Sequence, residues 1–155
     1  MNKAFTLIES VMVIVIIGIL TAVVMPAFVN SYNTLKIEGA YKQLMQDIRY
    51  TKQLAISRQT THGISFNPSQ DSYFLYRQTT SNTVNDPSTQ KPFNVTYTSG
   101  KFSGVNLVST TFTSPAQDTL EFNSLGAPSS AGVITLNYNS ITKTITVEAN
   151  TGRIQ

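Results

Sequence analysis

The 155-residue chain contains no cysteine and a single histidine, His62. Without cysteine there is no disulfide framework, no thiolate zinc site and no cysteine nucleophile. With one imidazole, metal sites built on several histidines are excluded, and a Ser-His-Asp triad would have to run through His62. That residue sits at a helix-to-strand turn beside Gly63 and reads as a surface or turn histidine. Charge is scarce too. Charged residues make up 12% of the chain, against about 25% in typical soluble domains. The formal net charge of +3 is scattered rather than clustered, which argues only weakly for an anionic partner. The acids show no Ca²⁺-loop spacing, and Asp118 and Glu121, flanking a short candidate strand, read as solvated charges. No phosphate-cradling glycine loop or nucleophile elbow occurs. The expectation is a protein that is not an enzyme, with no catalytic residue, no metal ligand and no cofactor.

What the chain does have is a long apolar head. Residues 11–29 read VMVIVIIGILTAVVMPAFV, and no charged residue occurs between Glu9 and Lys36. A run of this length predicts a transmembrane helix, in which internal hydrogen bonding overrides the β preference of Val and Ile. Pro26 removes one backbone donor and should kink or loosen the helix near Ala22. The run is longer than the apolar region of a cleaved secretory signal and lacks a clear small-x-small site after it. Lys3 on one flank and Lys36 and Lys42 on the other leave orientation weakly marked.

Glu9 stands directly ahead of this run. Thr6-Leu7-Ile8-Glu9 matches a capping box, with Thr6 as N-cap and Glu9 reaching back to a free N–H, and a negative charge suits the helix dipole there. A carboxylate at a membrane boundary is also costly unless paired. If the chain is cut after Ala4, the Phe5 amine becomes a cation one helical turn away that Glu9, in this subunit or a neighbour, could meet. The residues alone leave both roles open.

Past the apolar run, Tyr41, Leu44, Met45, Ile48, Lys52, Ala55 and Ile56 recur at helical spacing, Lys52 being the polar exception. Polar residues lie between them, and the stripe reads as a face packed on a sheet. Thr60, Thr61 and Gly63 should end the helix. A helix from Phe5 to about Arg58 would be about 80 Å long. No small domain buries that length, so its front half needs lipid or other helices.

After His62 the pattern changes to about six or seven strands. Residues 63–67 and 73–76 suggest a hairpin around a turn at Pro68–Asp71. Residues 79–92 read as an exposed polar loop. Strand candidates follow at 93–97, 105–108 and 119–122. Residues 133–138 and 143–147 form the clearest hairpin, turning at Asn139-Ser140. The fold class is α+β: a long N-terminal helix packed by its second half on a largely antiparallel sheet. Tyr73, Phe74 and Tyr76, with Arg77, would suit base stacking, but alternating core and surface aromatics of one strand is the simpler reading.

Ala4-Phe5-Thr6-Leu7-Ile8-Glu9, followed by a long apolar run and Pro26, resembles the N-terminus of type IV pilins and pseudopilins. The segments QLMQDIRYTKQLAISRQ, LEFNSLGAP and ITVEANTGRI make the chain most similar to the H-type pseudopilin of type II secretion and the T-type minor pilin. The resemblance covers nearly the whole chain. It implies a leader at 1–4, a transmembrane and filament-core helix at 5–29, a soluble half of the helix at 30–60 and a β-rich head at 61–155. It implies a prepilin peptidase that cuts between Ala4 and Phe5 and methylates the Phe5 amine. It also implies pairing of Glu9 with that amine on an adjacent subunit, and partnership with other pilin subunits and an inner-membrane assembly platform. The location implied is a single-pass bacterial inner-membrane protein, head in the periplasm or outside, then a filament. Ala4 departs from the family, which usually has glycine there, and cleavage is still expected because alanine is small. Some T-type pilins look like DNA-binding pilins ending in Gly-Arg-x-Arg. Here Gly152-Arg153 is followed by Ile154-Gln155, so Arg153 is a candidate contact to nucleic acid with one arginine missing, or a surface residue closing the last strand.

Overall fold

The structure is a computed structural model that describes residues 6–149 and 151–155. The processing residues Ala4 and Phe5 lie outside the described residues. Among the described residues, one α-helix, α1 (Leu7–Arg58), is followed by eight strands: β1 (His62–Asn67), β2 (Ser72–Arg77), β3 (Thr79–Thr83), β4 (Asn94–Thr96), β5 (Asn106–Thr110), β6 (Thr119–Phe122), β7 (Gly132–Tyr138) and β8 (Ile141–Val147), with a 3-10 turn at Pro68–Gln70 between β1 and β2. Contacts divide the chain into two units, with the boundary between Leu35 and Lys36.

In the first unit the helical assignment runs through position 26 without a break. An 18-residue window of α1 has a mean hydropathy of 2.8 and none of it is buried. Val11, Ile14, Ile17, Leu20, Val24 and Phe28 point in different directions round the helix, and all are at least half exposed. A helix apolar on every side is a membrane span or the core of a bundle.

The second unit holds the core. Its helical face is Ile37, Ala40, Leu44, Ile48, Leu54 and Ala55, with Thr51 the buried polar member. Thr51 donates its hydroxyl to the Asp47 carbonyl, 2.8 Å away, which satisfies it without a partner on the sheet. The sequence stripe is therefore rotated slightly from the real face. Tyr41 and Met45 pack at its edge, and Ile56 is 44% exposed. The helix ends at Arg58, where the sequence placed its end. Gln59, at φ 50°, takes the left-handed position after Arg58.

The strands form two sheets with antiparallel ladders throughout. The larger has the order β3-β2-β1-β6, with β4 also paired to β2; the smaller has the order β5-β7-β8. One hydrophobic cluster joins the helical face to Ile64, Tyr73, Leu75, Leu120 and Phe122 of the first sheet and Leu107, Ile134, Leu136 and Ile145 of the second. Phe66 and Phe112 stack at 5.9 Å within it. The β7–β8 hairpin is as the alternation predicts, with Asn139 at φ 54° in its turn. The chain end closes on β8 through reciprocal backbone bonds between Thr146 and Gln155.

One reading is corrected and one alternative is excluded. Residues 79–92 are not a simple loop, because Thr79–Thr83 form β3 on the sheet edge. The stacking platform does not exist: Tyr73 and Tyr76 are buried, facing the core and the next strand, not solvent.

Candidate functional site

At the head of α1, Thr6 caps the helix. The Glu9 N–H donates to Thr6 Oγ1 at 3.4 Å, and the Ser10 N–H to the Thr6 carbonyl at 3.2 Å. This is one half of the capping box, and its length makes it weak. The reciprocal half, from the Thr6 N–H to the Glu9 carboxylate, is not made. Glu9 is exposed, and among the described residues its carboxylate has neither a hydrogen bond nor an ion pair. A bare carboxylate thus stands at the start of an apolar helix.

In the head, Arg153 is exposed on the closing turn. Its N–H donates to Thr151 Oγ1 at 3.2 Å and its carbonyl accepts from the Glu148 N–H at 3.0 Å. With Arg49, Gln53, Ile56 and Gly152 it borders a cleft of about 430 Å³. Lys52 faces the same cleft, but its ammonium donates to the Thr151 and Gly152 carbonyls at 3.0 and 3.1 Å. The polar exception in the helical stripe is therefore a clamp on the chain end. Gly152 is required beneath it: its φ is +57°, and a Cβ would come within 3.1 Å of the Gly126 carbonyl.

His62 is buried, against the surface reading, because it opens β1 between β2 and β6. Its Nδ1 lies 2.9 Å from the Thr60 carbonyl and so carries the proton. Burial lowers its pKa, helped by the nearby Arg58 and Arg77 charges. Asp118 and Glu121 are not merely solvated. Asp118 accepts from the Thr110 hydroxyl, and Glu121 from Tyr76. Asp47 accepts from the Tyr73 hydroxyl at 2.6 Å, and burial pushes its carboxyl up to about 6. Sequence reading missed these pairs because their partners are 26 and 45 residues apart. Among the described residues no three His, Asp or Glu side chains gather as a metal site.

Residues 40–152 fit the family model "Type II transport protein GspH". The chain belongs to the GspH family. This pseudopilin is 30% identical over 153 residues to the competence protein ComGD of Bacillus subtilis, covering 99% of its own length and 92% of ComGD. Its fold is that of the minor pseudopilin EpsH from the type II secretion system of Vibrio cholerae, with a TM-score of 0.58 at 13% identity over 76% of this chain and 93% of EpsH. It is also that of the type IV minor pilin FimU of Pseudomonas aeruginosa, with a TM-score of 0.51 at 14% identity over 76% of this chain and 85% of FimU. As a pilin-like α+β subunit with one apolar N-terminal helix, this pseudopilin is of the kind that associates with like subunits in a filament.

Proposed function

We propose that this chain is a minor subunit of a competence-type or secretion filament. It is stored in the inner membrane through α1, cut between Ala4 and Phe5 by a prepilin peptidase, methylated on the Phe5 amine and drawn into the filament by an assembly platform. Its role is assembly rather than catalysis. The observation that supports the reading is the Glu9 carboxylate, without a partner among the described residues, at the start of a helix exposed on all its apolar sides. Moving that helix from lipid into a bundle leaves a buried carboxylate that needs a cation, and the amine that cleavage would free on a neighbouring subunit would supply it. The ComGD likeness spans nearly the full length of both chains and favours a competence filament over a secretion one. The test is Glu9→Leu in the native host. The variant is expected in the membrane fraction, cleaved, and absent from sheared filaments. Unchanged incorporation would sink the pairing role.

A second reading has Arg153 and Arg49, on one cleft, contacting DNA or another surface ligand. Arg49 and Arg153 alone give little phosphate neutralisation, and Lys52 is held by carbonyls. Salt-sensitive binding of duplex DNA by the full chain, lost in Arg153→Gln, would support it.

A further inference from the structure

A second cleft, of about 360 Å³, opens on the head. The sequence gives no sign of it, because its walls come from the end of α1, the end of β2, β3 and the loop after β3. Arg58 closes the last turn of α1, and Tyr50 stands on the helix about 12 Å before it. Tyr50 is stacked on Phe93, their ring centres 6.1 Å apart, so the aromatic wall is fixed.

Arg77 is brought in by sheet register. It is the last residue of β2, opposite His62 of β1. The next residue, Gln78, turns the chain at φ 64°. The β2–β3 ladder is then broken. Thr79 faces Arg77 and Thr83 faces Tyr76, so Thr80–Asn82 stand against a single step of β2. Bulges of this kind re-aim side chains and recur beside binding sites. This one sets Asn82 and Thr83 along the cleft.

The loop beyond is built rather than loose. Asn85 bridges to Pro92, the Asp86 N–H donates to the Lys91 carbonyl, and the Gln90 N–H donates to the Asp86 carbonyl, both at 2.8 Å. Asp86, the acid of this loop, turns its carboxylate onto the N–H and hydroxyl of Ser88, each at 2.7 Å. It does not line the cleft, and neither does Asp47. Among the described residues neither Arg58 nor Arg77 is in an ion pair. The field of both guanidiniums reaches the His62 ring and opposes its protonation.

Two guanidiniums without an ion pair among the described residues, three side-chain amides, of which Gln90 already spends one N–H on the Pro87 carbonyl at 3.1 Å, and an aromatic wall form a donor set with a definite preference. Guanidiniums take planar or tetrahedral oxyanions in bidentate fashion. Asn and Gln amides offer both a donor and an acceptor, which is what hydroxyl groups require. A cleft of this size is of the order of small-ligand sites. We propose that the cleft formed by Arg58, Arg77, Tyr50, Asn82, Asn85 and Gln90 binds an acidic saccharide, with the guanidiniums on its carboxylate or phosphate and the amides on its hydroxyls. A nucleic-acid strand fits less well. It needs cations repeated along a path, and the exposed strand leading away, Thr79–Thr83, carries none.

The test is calorimetric titration of the full chain in neutral detergent micelles. The probes are trigalacturonate, which carries carboxylates, and mannose 6-phosphate, which carries a phosphate. Maltotriose is the neutral control and a thymidine oligonucleotide series the nucleic-acid control. Saturable binding of either acidic probe is expected, and which one binds names the anion. Arg58→Gln and Arg77→Gln should each weaken it by about tenfold or more, with unchanged far-ultraviolet circular dichroism. Asn82→Ala, which alters no charge, should also weaken it. The proposal is overturned if neither acidic probe binds, if maltotriose binds equally well, if the arginine variants bind as wild type, or if the oligonucleotides compete with an affinity that grows with length.

Discussion

The Tyr76 hydroxyl donates to Glu121 Oε1 at 2.9 Å, across a glycine. Tyr76, Gly63 and Glu121 are register partners on three adjacent strands. The ring lies over Gly63 so closely that a Cβ there would stand 2.5 Å from Tyr76 Cζ. Gly63 is thus needed for packing, and the aromatic covers the strand position that glycine leaves bare. Gly63→Ala should destabilise the head by about 1–3 kcal/mol through overpacking. Glu121→Ala should have an effect of similar size, about 1–3 kcal/mol, by stranding a buried hydroxyl. Urea denaturation of each variant checks both values.

Asp47 makes stability depend on pH. Burial raises its carboxyl from 3.8 to about 6, although the Tyr73 hydroxyl bond works in the other direction. A proton held more tightly in the folded state stabilises fully below 3.8, and that stabilisation is lost as pH rises through 6. The head should therefore lose about 1–3 kcal/mol from this group between acid and neutral pH. Asp47→Asn should remove that slope, as read from denaturation midpoints across the range.

His62 acts in the opposite sense. Its pKa is lowered from 6.5, chiefly by burial. The stability it contributes is complete above 6.5 and is lost as pH falls below that value, because the unfolded chain takes the proton first. Its ring resonances should titrate with a midpoint below 6.5. A midpoint at or above that value would contradict its buried placement.

The chain end depends on Lys52. Replacing it by methionine keeps the aliphatic stem and deletes the donor to the Thr151 and Gly152 carbonyls. Destabilisation of about 1 kcal/mol is expected. Faster hydrogen exchange at the Gly152 and Gln155 amides, which close on Glu148 and Thr146, would localise the change.

The parts of the fold legible in the sequence are those where side-chain pattern and burial agree. β7 and β8 alternate β-branched residues, and β6 coincides with Thr119–Phe122. β3 was hidden because TTSNT is exposed along its whole length and bulged, leaving no alternation to read. The helical face was misplaced because Thr51 satisfies its own hydroxyl and so sits in a core that polarity alone would deny it. Glu9 and Arg153 stand out in the sequence, by contrast with their neighbours. Arg58 and Arg77 do not, because only the β1–β2 register and the β3 bulge bring them to one cleft.

The most direct measurement is the intact mass and N-terminal sequence of the protein from the sheared-filament fraction of its own host. The account predicts a chain that begins at Phe5 and is heavier by one methyl group. A chain that still begins at Met1, in a host whose prepilin peptidase is active, would contradict it. Glu9 would then face no neighbouring amine at the end of a processed helix.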